Sequence, residues 1–138
     1  MNYLLWTLLG LLAYTLVPPL MKVATSEIPP TVALLISNVI LVAVTVGVLA
    51  VGDQSVTEHF TAPKAIYAYG AGLALAVGLL AYYTGLSMGP VSVVTPVFGM
   101  FLVTSSALGI AFLGETLTAR KVLGFAFAVA AVYLTTGQ

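Results

Sequence analysis

Residues 31–51 read TVALLISNVILVAVTVGVLAV, an apolar run of about 21 residues that contains no charged side chain. A helix of about 20 apolar residues is long enough to cross the hydrocarbon core of a bilayer. Pro29 and Pro30 separate this run from a polar turn before it, and a polar loop at residues 52–64 follows it. We therefore predict a transmembrane helix over residues 31–51.

Charged and turn-forming residues divide the rest of the chain into four further apolar runs. A four-helix arrangement would leave one uncharged run outside the membrane, which is costly. We therefore predict an all-α membrane protein, with a single five-transmembrane-helix bundle over residues 1–138. The predicted helices cover approximately residues 3–22, 31–51, 65–88, 91–113 and 120–136.

The composition supports a membrane protein and argues against several other classes. Hydrophobic residues make up 61% of the chain and charged residues 6%, whereas soluble domains carry about 25% charged residues. The net charge is zero and no basic patch is present, which argues against a nucleic-acid partner. The chain has no cysteine, no Ser/His/Asp set, no metal-ligand cluster and no Gly-rich phosphate loop, so we expect no enzyme activity, metal or other cofactor.

The distribution of basic residues gives only a weak orientation signal. With five spans, Lys64, Arg120 and Lys121 lie on the same side of the membrane as the N-terminus, whereas Lys22 lies on the other side. The positive-inside rule then favours a cytoplasmic N-terminus. A bias of three to one is small enough to permit insertion in both orientations.

Several motifs in the second half of the chain occur at a recognisable separation. They are Tyr82-Tyr83-Thr84-Gly85-Leu86, Pro90-Val91-Ser92, Thr95-Pro96 and Leu113-Gly114-Glu115-Thr116-Leu117-Thr118, with Gly124 in the last helix. They resemble the EamA-type repeat of the drug/metabolite transporter superfamily, which has a Gly-Glu-x-Leu-Thr turn before a Gly-rich fifth helix. The resemblance covers nearly the whole chain and implies one transporter repeat.

The first helix resembles that of a related group, the small multidrug resistance proteins. Leu20-Met21-Lys22 ends the helix much as it does there. In that register, the membrane-embedded glutamate of the group falls on Tyr14, and its pocket aromatic pair falls near Thr95 and Phe98. The arginine that many EamA repeats carry early in the second helix is also missing, since that region reads Leu35-Ile36-Ser37-Asn38.

Polar, aromatic and proline residues within the spans are the candidates for substrate binding. Pro18 frees a backbone carbonyl about one turn earlier, near Tyr14, so the first helix has either a simple kink or a break that exposes backbone to substrate. Tyr14 shares a face with Pro18 and is either a pocket wall or a packed residue whose hydroxyl bonds to a neighbour. Asn38 either bonds between helices or contacts substrate, because a buried amide needs partners. The other candidates pack in the core or line the pocket. The full set is Tyr14, Pro18, Asn38, Tyr82, Thr95 and Phe98.

Glu115 and Arg120 are predicted to form a structural turn before the last helix. Glu115 suits an N-terminal cap or a partner of the helix dipole, and Arg120 and Lys121 are close enough in sequence to pair with it. The alternative is a role in gating or coupling.

One repeat supplies only one wall of a transporter cavity, which normally lies between two related repeats. We therefore expect an antiparallel homodimer that moves a small metabolite or drug-like solute by alternating access. Its setting would be the lipid bilayer of a prokaryotic cytoplasmic membrane. The alternatives are a non-transporting membrane assembly protein, whose small-residue stripes bind a partner helix, and an inactive isolated half of a ten-helix transporter.

Overall fold

The computed structural model describes residues 3–52 and 56–137, which form eight helices and no strand. Two of the transmembrane segments are each made of two consecutive helices, and one short helix lies in the loop after the second segment. The helices are α1 (Tyr3–Thr15), α2 (Val17–Ala24), α3 (Pro30–Val51), α4 (Val56–Phe60), α5 (Ala65–Met88), α6 (Val91–Gly99), α7 (Phe101–Phe112) and α8 (Ala119–Thr136).

Within the described residues, five helical segments are long and apolar enough to cross a bilayer. The predicted all-α protein with five membrane-spanning helices is therefore confirmed, and the chain is a multi-pass membrane protein. We refer to these segments as the first to fifth spans. They are Tyr3–Ala24, Pro30–Val51, Ala65–Met88, Val91–Phe112 and Ala119–Thr136.

Hydroxyl groups within the spans are satisfied by the helices that carry them. Thr7, Thr15, Thr45 and Thr84 each donate to the carbonyl oxygen four residues earlier, at 2.8–2.9 Å. The hydrocarbon core offers no water to these groups, so a bond within the same helix removes the cost of placing them there. Hydroxyl groups bonded in this way do not require a neighbouring helix.

The chain divides into two compact units, the first ending at Ser87 and the second beginning at Met88. In the first unit, the buried residues lie near the end of the first span, the start of the second and the end of the third. They are Pro18, Met21, Thr25, Ala33, Tyr82, Tyr83 and Leu86. Since consecutive spans run in opposite directions, these three regions belong to the same side of the membrane.

Elsewhere in the first unit, the spans present their apolar side chains outward. The second span is exposed along most of its length, with Leu35, Ile40 and Val48 all more than half exposed. Exposed apolar surface is unfavourable in water but is the normal surface of a helix in lipid. Lipid or further helices must therefore cover this part of the unit.

In the second unit, α6 packs against both α7 and α8. The fourth span contains Pro96 and changes from α6 to α7 at Met100. The Met100 N–H donates to the Val97 carbonyl three residues earlier, at 3.2 Å. A tightened turn about one turn after a proline is a common origin of a break in a helix.

Candidate functional site

Three tyrosines form the candidate site in the first unit. Tyr82 and Tyr83 are each only 4% exposed, and their ring centroids lie 5.9 Å apart with the ring planes tilted by 45°. This is a usual geometry for a favourable aromatic pair. Tyr14 is 50% exposed, and its phenol lies within electrostatic range of the other two. We call Tyr14, Tyr82 and Tyr83 the tyrosine cluster.

The first span is interrupted directly beside this cluster. The helix α1 ends at Thr15, Leu16 adopts a turn, and α2 begins at Val17. The Leu16 N–H donates to the Ala13 carbonyl at 3.3 Å, three residues back rather than four. Pro18 and Pro19 have no N–H to donate, so the carbonyl oxygens of Tyr14 and Thr15 lose their usual helical partners. Two backbone carbonyls at this interruption therefore lack the amide that a regular helix would provide.

Asn38 lies in a different part of the first unit, at an open cleft of about 350 Å³ between the second and third spans. Its amide Nδ2 donates a 2.8 Å hydrogen bond to the carbonyl of Leu34, within its own helix. No residue of the tyrosine cluster lines the cleft, which is almost entirely apolar. The lining residues are Thr31, Leu34, Leu35, Asn38, Gly72, Leu75, Ala76 and Leu79.

The two remaining predicted binding residues, Thr95 and Phe98, lie in the second unit on α6. Both are half-buried and flank the proline at position 96. The Phe98 ring pairs with the Phe101 ring across the helix break, at a centroid distance of 5.2 Å. This aromatic pair packs over the point where the fourth span changes from α6 to α7.

The turn before the fifth span is held by two hydrogen bonds and an ion pair, all made by Lys121. Thr118 is the N-cap, and its hydroxyl accepts a 3.3 Å hydrogen bond from the Lys121 N–H. The Lys121 ammonium bonds to the Thr116 carbonyl at 2.9 Å and lies 3.5 Å from the Glu115 carboxylate. Arg120 is exposed in the first turn of the span. The N-cap of the fifth span is therefore Thr118 and not Glu115.

Glu115 folds back over the end of the fourth span. Its N–H lies 3.4 Å from the carbonyl of Gly109, which is buried, and its carboxylate covers the Gly109 Cα. The intervening Gly114 has a φ of +71°, in the left-handed region that favours glycine. The Gly-Glu pair thus reverses the chain and lets the carboxylate approach a residue without a side chain.

The structure thus brings Tyr14 near Tyr82, with Pro18 one turn after Tyr14, but places Asn38 at a separate cleft. Tyr83 is an additional member that was quoted in the sequence motif but not selected as a site residue. No feature of the sequence singles it out, and only the structure places it three residues before the fully buried Leu86, on the same face of the third span. Among the described residues, no group of three or more His, Asp or Glu side chains could hold a metal ion.

Comparison with known proteins gives one result that bears on function. A family model described as the EamA-like transporter family matches residues 1–137. Comparisons with curated proteins and with solved structures find no match. Because the family match covers nearly every residue and agrees with the five spans, the chain belongs to the EamA-like transporter family.

Proposed function

We propose that the chain moves a small metabolite or drug-like solute across the cytoplasmic membrane of a prokaryote by alternating access. Membership of a transporter family is the observation that carries this proposal. The tyrosine cluster beside the interrupted first span supports it, because broken helices in transporters expose backbone groups to the substrate.

The polar groups of the cluster favour a neutral or zwitterionic amphipathic solute. Phenol hydroxyls can donate or accept hydrogen bonds, and the freed carbonyls of Tyr14 and Thr15 can accept them. The described spans contain no Asp, Glu or His, the side chains that form most intramembrane proton relays. Aromatic surface with a few hydrogen-bonding groups is typical of small-molecule sites.

We further propose that two copies assemble in opposite orientations around a central cavity. Five spans place the two ends of a repeat on opposite sides of the membrane, so an inverted second copy supplies the other wall of the cavity. The small difference in Lys and Arg between the two sides permits both insertions.

Flux in proteoliposomes tests the transport proposal. Purified protein is reconstituted and screened with radiolabelled amino acids, amines and drug-like solutes, and Tyr14→Ala serves as the site variant. We expect saturable flux of at least one solute, reduced in Tyr14→Ala at equal reconstituted protein. Equal flux in the variant would remove Tyr14 from the site, and flux no greater than in empty vesicles for all solutes would contradict the proposal.

Topology is tested separately by thiol labelling, for which the absence of cysteine is an advantage. Gly137→Cys is labelled with an impermeant maleimide in intact cells and again after permeabilisation. Insertion in both orientations predicts that about half of the molecules react before permeabilisation. Labelling from one side only would contradict the antiparallel homodimer and leave the flux result unaffected.

One observation supports the assembly protein as a second candidate. Gly70 and Gly78 lie two turns apart on the third span, with Ala74 between them, and open space surrounds both glycines. Such a surface allows another helix to approach closely. An assembly protein would form a stable complex through this surface without any solute flux, so the same proteoliposomes distinguish the two functions.

A further inference from the structure

Lys22 makes a contact that joins two spans of the first unit. Its ammonium donates a 2.7 Å hydrogen bond to the carbonyl of Leu86 and lies 3.5 Å from the carbonyl of Ser87. Lys22 is half-buried, whereas Leu86 is completely buried. The bond therefore links the end of the first span to the end of the third, across 64 positions of the sequence.

The sequence explains why the Leu86 carbonyl needs this donor. In a continuing helix, the carbonyl of residue 86 would accept from the N–H of residue 90. Residue 90 is proline, which has no N–H. A buried carbonyl without a donor is costly, most of all in a membrane. The third span thus ends with an acceptor that its own helix cannot satisfy at that position.

We propose that Lys22 supplies the hydrogen-bond donor that Pro90 withholds from Leu86, and that this bond makes Lys22 a positioning residue for the tyrosine cluster. Leu86 follows Tyr82 and Tyr83 by about one turn, so the three residues share a face of the third span. Holding Leu86 against the first span keeps both tyrosines beside Tyr14. The effect on transport rests on the proposed function, but the bond itself does not.

The position of Lys22 suits this task. The last carbonyls of a helix carry partial negative charge, so an ammonium at the end of the third span is favourable. The long aliphatic stem of lysine can lie along apolar surface while its charged end reaches a polar partner. The turn at Leu16 separates α2, which carries Lys22, from the rest of the first span.

Spin-label distances test the bond without requiring transport. Labels are placed on Val23→Cys and Thr84→Cys, which are exposed positions of the first and third spans. We expect a narrow distance distribution in the parent protein and a broader one in Lys22→Met. Lys22→Arg keeps a charged donor and should restore most of the narrow component, and Lys64→Met, in the loop before the third span, should change nothing. Identical distributions in the parent and Lys22→Met would overturn the proposal.

A second experiment asks whether Pro90 is the reason for the bond. Pro90→Ala returns a backbone N–H at that position. In the parent background, Lys22→Met should raise the unfolding equilibrium constant in detergent about tenfold to hundredfold, the factor for losing a hydrogen bond to a charged group. In the Pro90→Ala background, the same substitution should raise it less than about threefold, because the amide takes over. If Lys22→Met raised the unfolding equilibrium constant equally in both backgrounds, the Lys22 ammonium would not be replacing the missing N–H of residue 90.

If Lys22→Met does not fold, recovery of folding by Pro90→Ala supports the proposal and failure to recover contradicts it. For the folded variant, a positioning role predicts a raised half-saturation concentration with a smaller effect on maximal flux. If the parent shows no flux, the proposed function fails, while the distances and the unfolding constants still decide whether the bond holds the first and third spans together.

Discussion

The contact between Glu115 and Gly109 predicts how substitutions at position 109 change the free energy of unfolding. A Cβ atom at Gly109 would stand 3.3 Å from both the Cδ and the Oε1 of Glu115. Such a distance is tight enough that the glutamate must move. We therefore predict that Gly109→Ala is tolerated and that Gly109→Leu destabilises the protein.

Alanine and leucine at position 109 require different parts of the turn to move. For alanine, the glutamate side chain is 54% exposed and can swing outward. Its ion pair with Lys121 is worth about 0–1 kcal/mol at such an exposed position, and replacing a helical glycine gains up to about 1 kcal/mol. For leucine, the Glu115 N–H lies 3.4 Å from the Gly109 carbonyl and keeps the main chain close. Overpacking of this kind costs about 1–3 kcal/mol.

Unfolding in detergent, followed by circular dichroism, measures these differences. Gly124→Leu is the matched control, because a Cβ atom at Gly124 would meet no atom from another part of the chain within 4 Å. We expect Gly109→Leu to be clearly less stable than the control, and Glu115→Ala to remove at least about 1 kcal/mol of its cost, since no carboxylate then opposes the new side chain. Equal stabilities of the two leucine variants, or a cost unchanged by Glu115→Ala, would refute this account of the turn.

Three further predictions concern the cluster, the cleft and the turn. Tyr14→Phe should raise the half-saturation concentration for flux about two- to tenfold, the effect of losing one hydrogen bond. Tyr67 is an exposed tyrosine of the third span, and Tyr67→Phe should leave that concentration unchanged. Similar effects of both substitutions would argue against a specific role for the Tyr14 hydroxyl. Asn38→Ala should reduce flux at least about twofold if the amide contacts the solute, and normal flux would exclude Asn38 from the substrate path. Insertion should be unchanged, because the Asn38 amide bonds within its own helix. Gly114→Ala should lower stability by about 1–2 kcal/mol, owing to its φ of +71°, and an unchanged unfolding midpoint would show that the turn rearranges freely.

The spans were predictable because each is stabilised largely by its own residues. Residues 31–51 were predicted to form a helix, and the structure has one at Pro30–Val51. In lipid, every backbone group must be satisfied within the segment, so the length of an uncharged run is nearly sufficient. The end of the first span was less predictable. Its helix continues past Lys22 to Ala24, because the charged side chain finds a bonding partner without ending the helix.

Contacts between spans could not be predicted in the same way. Tyr82 and Tyr83 are adjacent and chemically identical in the sequence, so composition cannot show that both are buried or that both lie near Tyr14. The Asn38 amide could equally have bonded to another helix, yet its Nδ2 bonds to Leu34 one turn away. These outcomes depend on which faces of the helices meet, and apolar runs without periodicity do not encode that choice.

Prolines in and just after these spans deprive backbone carbonyls of their usual helical donors. Where a proline lies four residues after a helical carbonyl, that carbonyl must find a donor elsewhere. At Leu86 the donor is Lys22, and the result is a fixed contact between two spans. At Tyr14 and Thr15 the acceptors lie beside a half-exposed phenol, where a solute with N–H or O–H groups can provide the donor. A carbonyl that lacks its amide donor therefore joins two spans where the Lys22 ammonium can reach it. We infer that the equivalent carbonyls near the exposed Tyr14 ring form a surface that recognises the solute.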